Sequence, residues 1–319
     1  MSPGIRRIFI DPELAALRAG WRIALFLAMT LVAIPVVTGP VMMLLKPVQG
    51  LPLPTIATII SYVMVTLTTW VALRFVDKRP FHSVGISFHR GWGKELGQGL
   101  LFGTGMMTLI FVIENAAGMV VIEFRGLTPE QIAPIVLNGL VLYTAVGYGE
   151  ELLFRGYLFQ SFAEGTNKII ATLSVSLLFA AAHAGNPNVS LFGLINVALA
   201  GIWLSAAYFK TKALWLPVGL HISWNFFQGV IFSYPVSGTT SDTTQFGTAV
   251  VSGPEWLTGG TFGPEGGALA TLMLVLGTLL IIYWPWVRAA EGVWQYDQWK
   301  EDRKRSLLPA EPQPDAAQQ

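Results

Sequence analysis

Ionisable side chains are scarce inside the apolar stretches of this 319-residue chain, and the few that occur there are of types that do hydrolytic chemistry. Glu150, Glu151 and Arg155 lie in the run Gly-Tyr-Gly-Glu-Glu-Leu-Leu-Phe-Arg-Gly. His183 follows Phe179 by four residues, and Asn225 follows His221 by four. Glu114 stands beside Asn115. An ionisable group at membrane depth is costly and is by default a functional candidate. A carboxylate can take a proton from water, and an imidazole can hold that water. An imidazole N–H or a carboxamide can donate to an oxyanion. One such donor is worth about 3–4 kcal/mol at the transition state.

Spacing narrows the reading. Residues four apart share a helix face, so Glu151 can pair with Arg155, and His221 projects with Asn225. Glu150 is turned by about 100° from Glu151 and can face a different cavity. Three helices could thus converge on one polar pocket. Each feature also has a structural reading. Glu151 with Arg155 could be an interhelical clamp. His183 could cap the turn Ala-Gly-Asn-Pro-Asn, and His221 with Asn225 could be hydrogen-bond glue between helices. Glu150 has no nearby cation left, which favours function. Phe179 reads as packing. Glu114 with Asn115 lies near a span end and reads as structural, and His82 and His89 read as interfacial anchors.

The elements that position these groups are membrane spans. Hydrophobic residues make up 53% of the chain and charged residues 12%, where a soluble domain carries about 25% charged residues. This excludes a soluble enzyme, a disordered chain and a nucleic-acid binder. The net charge of +1 implies no acidic partner. The absence of cysteine excludes disulfides, thiolate metal sites and a cysteine nucleophile. A span needs about 20 apolar residues. Eight runs qualify: Trp21 to Leu45, Leu53 to Phe75, Leu96 to Ile122, Gln131 to Phe159, the shorter Ile169 to His183, Val189 to Phe209, Ala213 to Phe232, and Ala268 to Val287. The expected fold is an all-α, polytopic integral membrane bundle of about eight helices.

Charge placement tests the alternation. Seventeen of the 20 Lys and Arg residues fall on one side: before span one, after spans two, four and six, and after span eight. Lys46 and Arg125 fall on the other side, and Arg155 lies within a span. The positive-inside rule then makes both termini cytoplasmic, with a prokaryotic plasma membrane as the expected location. The organisation reads as a cytoplasmic segment 1–20, a membrane domain 21–288 with a core at 138–229, a flexible external loop 233–267, and a cytoplasmic, partly disordered tail 289–319. Counting residues along the spans puts the pocket about halfway across, nearer the cytoplasm, with His183 about 20 Å up and poorly level with Glu150.

Taken together and in order, E-E-x-x-x-R (Glu150, Glu151, Arg155), F-x-x-x-H (Phe179, His183) and H-x-x-x-N (His221, Asn225) resemble the CAAX protease and bacteriocin-processing (CPBP, or Abi) family of intramembrane proteases. That family includes the type 2 CAAX prenyl endopeptidases. The resemblance covers about Asn138 to Gly229. It implies peptide-bond hydrolysis in the membrane, with Glu150 as the base that activates water and His183 helping to hold it. His221 and Asn225 would stabilise the oxyanion, and Glu151 and Arg155 would support the site. A peptide or membrane-protein substrate is implied, and no nucleic acid. A Zn2+ ion on Glu150, His183 and His221 and a metal-free glutamate mechanism both remain open. So do a non-catalytic immunity or scaffold role and a proton-coupled transporter.

Overall fold

The computed structural model describes residues 3–45 and 51–291, with isolated positions 293, 301 and 304. Lys46 and most of the tail lie outside the described residues. Eight apolar helical segments form the bundle, and these are α1 Ala19–Leu44, α2 Leu53–Val71, α3 Trp92–Ala116, α4 Pro129–Glu151, α5 Lys168–Ala182, α6 Leu191–Thr211, α7 Trp215–Phe226 and α8 Ala268–Tyr283. Among the described residues, five helices are long and apolar enough to cross a membrane, and two more are shorter apolar helices. Apolar side chains such as Leu31, Val36 and Leu177 point outward at the surface, as lipid contact requires. The chain is an integral membrane helix bundle.

Local chemistry sets the helix limits. Pro129 opens α4 behind a capping box in which Thr128 and Gln131 cap one another's backbone, which satisfies donors at the helix start. Asn167 accepts from the backbone N–H groups of Ile169 and Ile170 to start α5. Three helices end in π-turns: α2 at Ala72–Asp77, α4 at Leu152–Leu158 and α7 at Phe227–Ile231. After its π-turn α4 regains α geometry at Phe159–Gly165.

Helix α7 is the hub. Residues 216–225 are all buried, as expected of a helix that is apolar around its circumference. It packs on α3 through glycines: a Cβ on Gly99 or Gly219 would strike the facing helix backbone, and one on Gly103 would strike Ser223. Gly99 and Gly103 form the small-x-x-x-small pattern that lets backbones approach. On its other flank α7 runs antiparallel to α4, with Gly139 against Val230 and Gly147 against Ile222. Around this hub α1 packs on α2, α2 on α4, α5 on α6, and α6 on α8.

One end of the bundle is tied by buried charges. Arg22 at the start of α1 pairs with Asp77 at 3.2 Å and with Glu164. Arg79 pairs with Asp77 at 2.8 Å and donates to Gln160. Gln160 in turn donates to the Tyr208 hydroxyl and the Ser83 carbonyl. The start of α1 and the ends of α2, α4 and α6 therefore lie on the same side, in keeping with alternating spans.

Two stretches differ from the sequence expectation. The third run does not stay helical to Ile122. Helix α3 stops at Ala116, and β1 (Val120–Phe124) pairs antiparallel with β2 (Gly247–Val251), Val120 opposite Val251. Gly118 takes a positive φ of 70° in the intervening turn, and the β-branched pair Val120 and Val121 favours a strand. The Gly-rich stretch 233–267 holds more structure than its composition suggests. It contributes β2, and it buries Tyr234, Thr258 and Phe262. Trp256 remains exposed, while Phe262 enters the core.

Candidate active site

A cavity of about 490 Å³ opens among α2, α4, α5, α6 and α7 under the loop at 236–245. Glu150, Phe179, His183, His221 and Asn225 all line it. Three sequence stretches that are far apart in the chain thus meet at one space.

Glu150 projects from α4 with its side chain 16% exposed. Its Oε1 accepts a hydrogen bond from the Tyr62 hydroxyl of α2 at 2.9 Å. Its Oε2 lies 3.7 Å from His221 Nε2. Glu151 is fully buried and accepts from Arg155 at 2.9 Å and from His221 Nδ1 at 2.8 Å. The two adjacent glutamates therefore do not serve separate cavities. They face the two nitrogens of one imidazole, because α7 comes in edge-on between them. Gly147, one helical turn before Glu151, supplies the room: a Cβ there would come within 2.7 Å of Ile222, the neighbour of His221.

Arg155 is fully buried and shared between helices. Besides Glu151 it donates to the Gly201 carbonyl of α6 at 3.2 Å, and its guanidinium lies 4.5 Å from the centre of the Phe179 ring. Phe179 is thus more than packing, since a cation over an aromatic face is held electrostatically. The same ring sits 4.7 Å from His183 and 6.1 Å from His221.

His183 closes α5 and directs Nδ1 at the Phe179 carbonyl, 2.8 Å away. A carbonyl only accepts, so Nδ1 carries the proton and Nε2 is left as an acceptor. The level mismatch expected for His183 disappears. Helix α5 begins at Lys168 and is short, so His183 stands fifteen residues from one end of the bundle. Glu150 stands fifteen residues from Gly165 at that same end. Asn225 sits one turn beyond His221, and among the described residues its carboxamide has no hydrogen-bond partner.

The donor set does not fit a zinc ion. Among the described residues no three His, Cys, Asp or Glu side chains converge as metal ligands. His221 Nδ1 is engaged by Glu151, and the Phe179 ring packs against both His183 and His221. The expected ligand trio Glu150, His183 and His221 shares a cavity but not a coordination point.

Two contributors escaped the sequence reading. Tyr62 lies on α2, Leu53–Val71, which carries no charged residue, and its signal was a phenol in an apolar helix, which needs a partner when buried. The second is the wall formed by Thr239, Ser241, Thr243 and Gln245, hidden in a stretch that reads as a loop. Glu114 stays outside the cavity. It is buried and accepts from Tyr234 at 2.6 Å, fastening the loop to α3.

Residues 132–227 match the family described as type II CAAX prenyl endopeptidase Rce1-like. The matched segment is thus similar to the CAAX protease and bacteriocin-processing family. It runs from the first turn of α4 to the end of α7 at Phe227, and it contains every motif residue. Over 172 residues the chain is 25% identical to "Uncharacterized protein YyaK" of Bacillus subtilis (strain 168), covering 53% of this chain and 58% of that relative. Over 191 residues it is 22% identical to "Putative membrane peptidase YdiL" of the same organism, covering 56% of this chain and 72% of that relative. The chain thus spans less than two thirds of the length of YyaK. No solved structure matches it.

Proposed function

We propose that this chain is an intramembrane endopeptidase that uses Glu150 to activate water. The observation that carries the reading is the shared cavity in which Glu150 lies 3.7 Å from His221, with His183 and Asn225 on the same walls. Glu150, held by Tyr62, removes a proton from a water that also donates to His183 Nε2. The oxygen of that water bonds to the peptide carbonyl carbon. Asn225 and, in its doubly protonated form, His221 Nε2–H donate to the oxyanion that forms. The C–N bond then breaks as Glu150 passes its proton to the leaving amine. Glu151 supplies the countercharge to His221, and Arg155 fixes Glu151. A low-dielectric pocket strengthens each of these terms.

The family and the YdiL name support a peptide or membrane-protein substrate, and both bacterial relatives support a prokaryotic plasma membrane. Peptide profiling of membranes holding the wild-type chain or Glu150→Gln tests the reading. Wild type should generate new peptide termini that the variant does not. If Glu150→Gln keeps the full cellular effect and no Glu150-dependent termini arise, the chain acts by binding a partner and the peptidase reading is wrong.

A further inference from the structure

The cavity has a direction along the membrane normal. The cavity is lined by the start of α2 up to Thr58, the end of α5 at His183, α6 from Asn196 to Leu204, α7 from His221 to Asn225, and α4 with its π-turn from Leu142 to Phe154, beside the loop residues 236–245. The exposed lining residues are Pro54, Ala182, Thr239, Thr240 and Thr243, which form the rim. In the other direction the cavity ends at Phe154 and Phe179. Behind them Glu151 and Arg155 are fully buried. The Arg22, Asp77, Arg79 and Gln160 cluster lies at the far ends of the same helices and contributes nothing to the lining. The site is therefore reached from the loop side, the side opposite the helix ends that carry Arg22, Arg79 and Lys168.

Charge placement says which side that is. Among the described residues, Arg18, Arg74, Lys78, Lys94, Lys168, Lys210 and Lys212 lie at or next to the helix ends on the side of the Arg22 cluster, and Arg125 lies on the rim side, which marks the cluster end as cytoplasmic. The cavity walls carry no Lys or Arg, whereas Glu150 and Glu265 both line them. A neutral or basic peptide suits such a lining, and an acidic one meets like charge.

We propose that the substrate reaches Glu150 from the extracytoplasmic face, as an extended, neutral to basic segment of a secreted or membrane-anchored chain. The substrate half of this inference rests on the peptidase reading; the orientation half does not. The chain has no cysteine, so single cysteines report cleanly. In intact cells a membrane-impermeant maleimide should label Thr240→Cys and should reach Lys168→Cys only after permeabilisation. Labelling of Lys168→Cys in intact cells, with Thr240→Cys protected, overturns the orientation. New termini that depend on Glu150 should map to extracytoplasmic segments; termini mapping to cytoplasmic segments overturn the route. If Thr240→Cys labels from outside and no such termini arise, the orientation stands and the substrate proposal falls together with the peptidase reading.

Discussion

Glu150 and Glu151 are neighbours in the chain with opposite expected failures. Glu151→Gln removes a charge that is fully buried and pairs with Arg155 at 2.9 Å and His221 at 2.8 Å. Arg155 is fully buried too. Removing one partner of a buried pair costs about 3–5 kcal/mol, because the remaining charge stays desolvated. At roughly 2–4 °C per kcal/mol for a larger domain, the melting temperature should fall by about 10 °C. Glu150→Gln keeps the oxygen that accepts from Tyr62 and has no guanidinium to orphan. Its melting temperature should stay within about 2 °C of wild type, while cleavage is lost. Thermal unfolding in detergent, followed by intrinsic fluorescence, measures both variants. A double-mutant cycle with Arg155→Met separates the pair from its surroundings. The double variant should be more stable than Glu151→Gln alone, since no uncompensated charge remains. Equal destabilisation by the two glutamine variants would refute the division of labour between the two carboxylates.

Three further outcomes follow from single contacts. Tyr62→Phe removes a hydrogen bond to a carboxylate, worth about 1.5–3 kcal/mol, so the melting temperature should fall by about 3–12 °C and kcat should fall roughly 10- to 100-fold; an unchanged kcat would show that Tyr62 does not hold Glu150. Gly149→Ala puts a Cβ into the Tyr62 ring and should destabilise by about 1–3 kcal/mol, with Tyr62→Leu restoring stability but not activity. Prolonged dialysis against a chelator should leave cleavage intact, since no three ligands converge; loss of activity that zinc restores would overturn the metal-free mechanism.

What the sequence revealed and what it concealed divide along physical lines. The all-α membrane bundle was legible because a bilayer demands length and apolarity, which are sums over residues and survive errors at the ends. The convergence of Glu150, His183 and His221 was legible because charges at membrane depth are too costly to be incidental. The strand at Val120–Phe124 was not, since Val and Ile are apolar whether they enter lipid or a ribbon, and its partner at Gly247–Val251 is more than a hundred residues away. Tyr62 was hidden for a related reason. One hydroxyl hardly alters the apolarity of a span, and only the fold shows that it reaches Glu150. The continuation of α4 through Phe159–Gly165 was invisible as well, and it is what levels Glu150 with His183.

The site also depends on residues that carry no chemistry. Adjacent residues on a helix point about 100° apart, so Glu150 and Glu151 can hold one imidazole only if it enters between them, close to the α4 axis. That approach requires α7 to lie nearer α4 than ordinary side chains permit. Gly147 allows it on α4, and Gly99 and Gly103 press α7 from behind on α3. Gly149 meanwhile admits the Tyr62 ring against the opposite side of α4. The stretch Gly-Tyr-Gly-Glu-Glu is therefore one device. Its glycines set the distances at which α7 and α2 approach, and its glutamates receive what those two helices bring. A substitution at Gly147 should thus disturb catalysis by moving His221, although no atom of Gly147 meets the substrate.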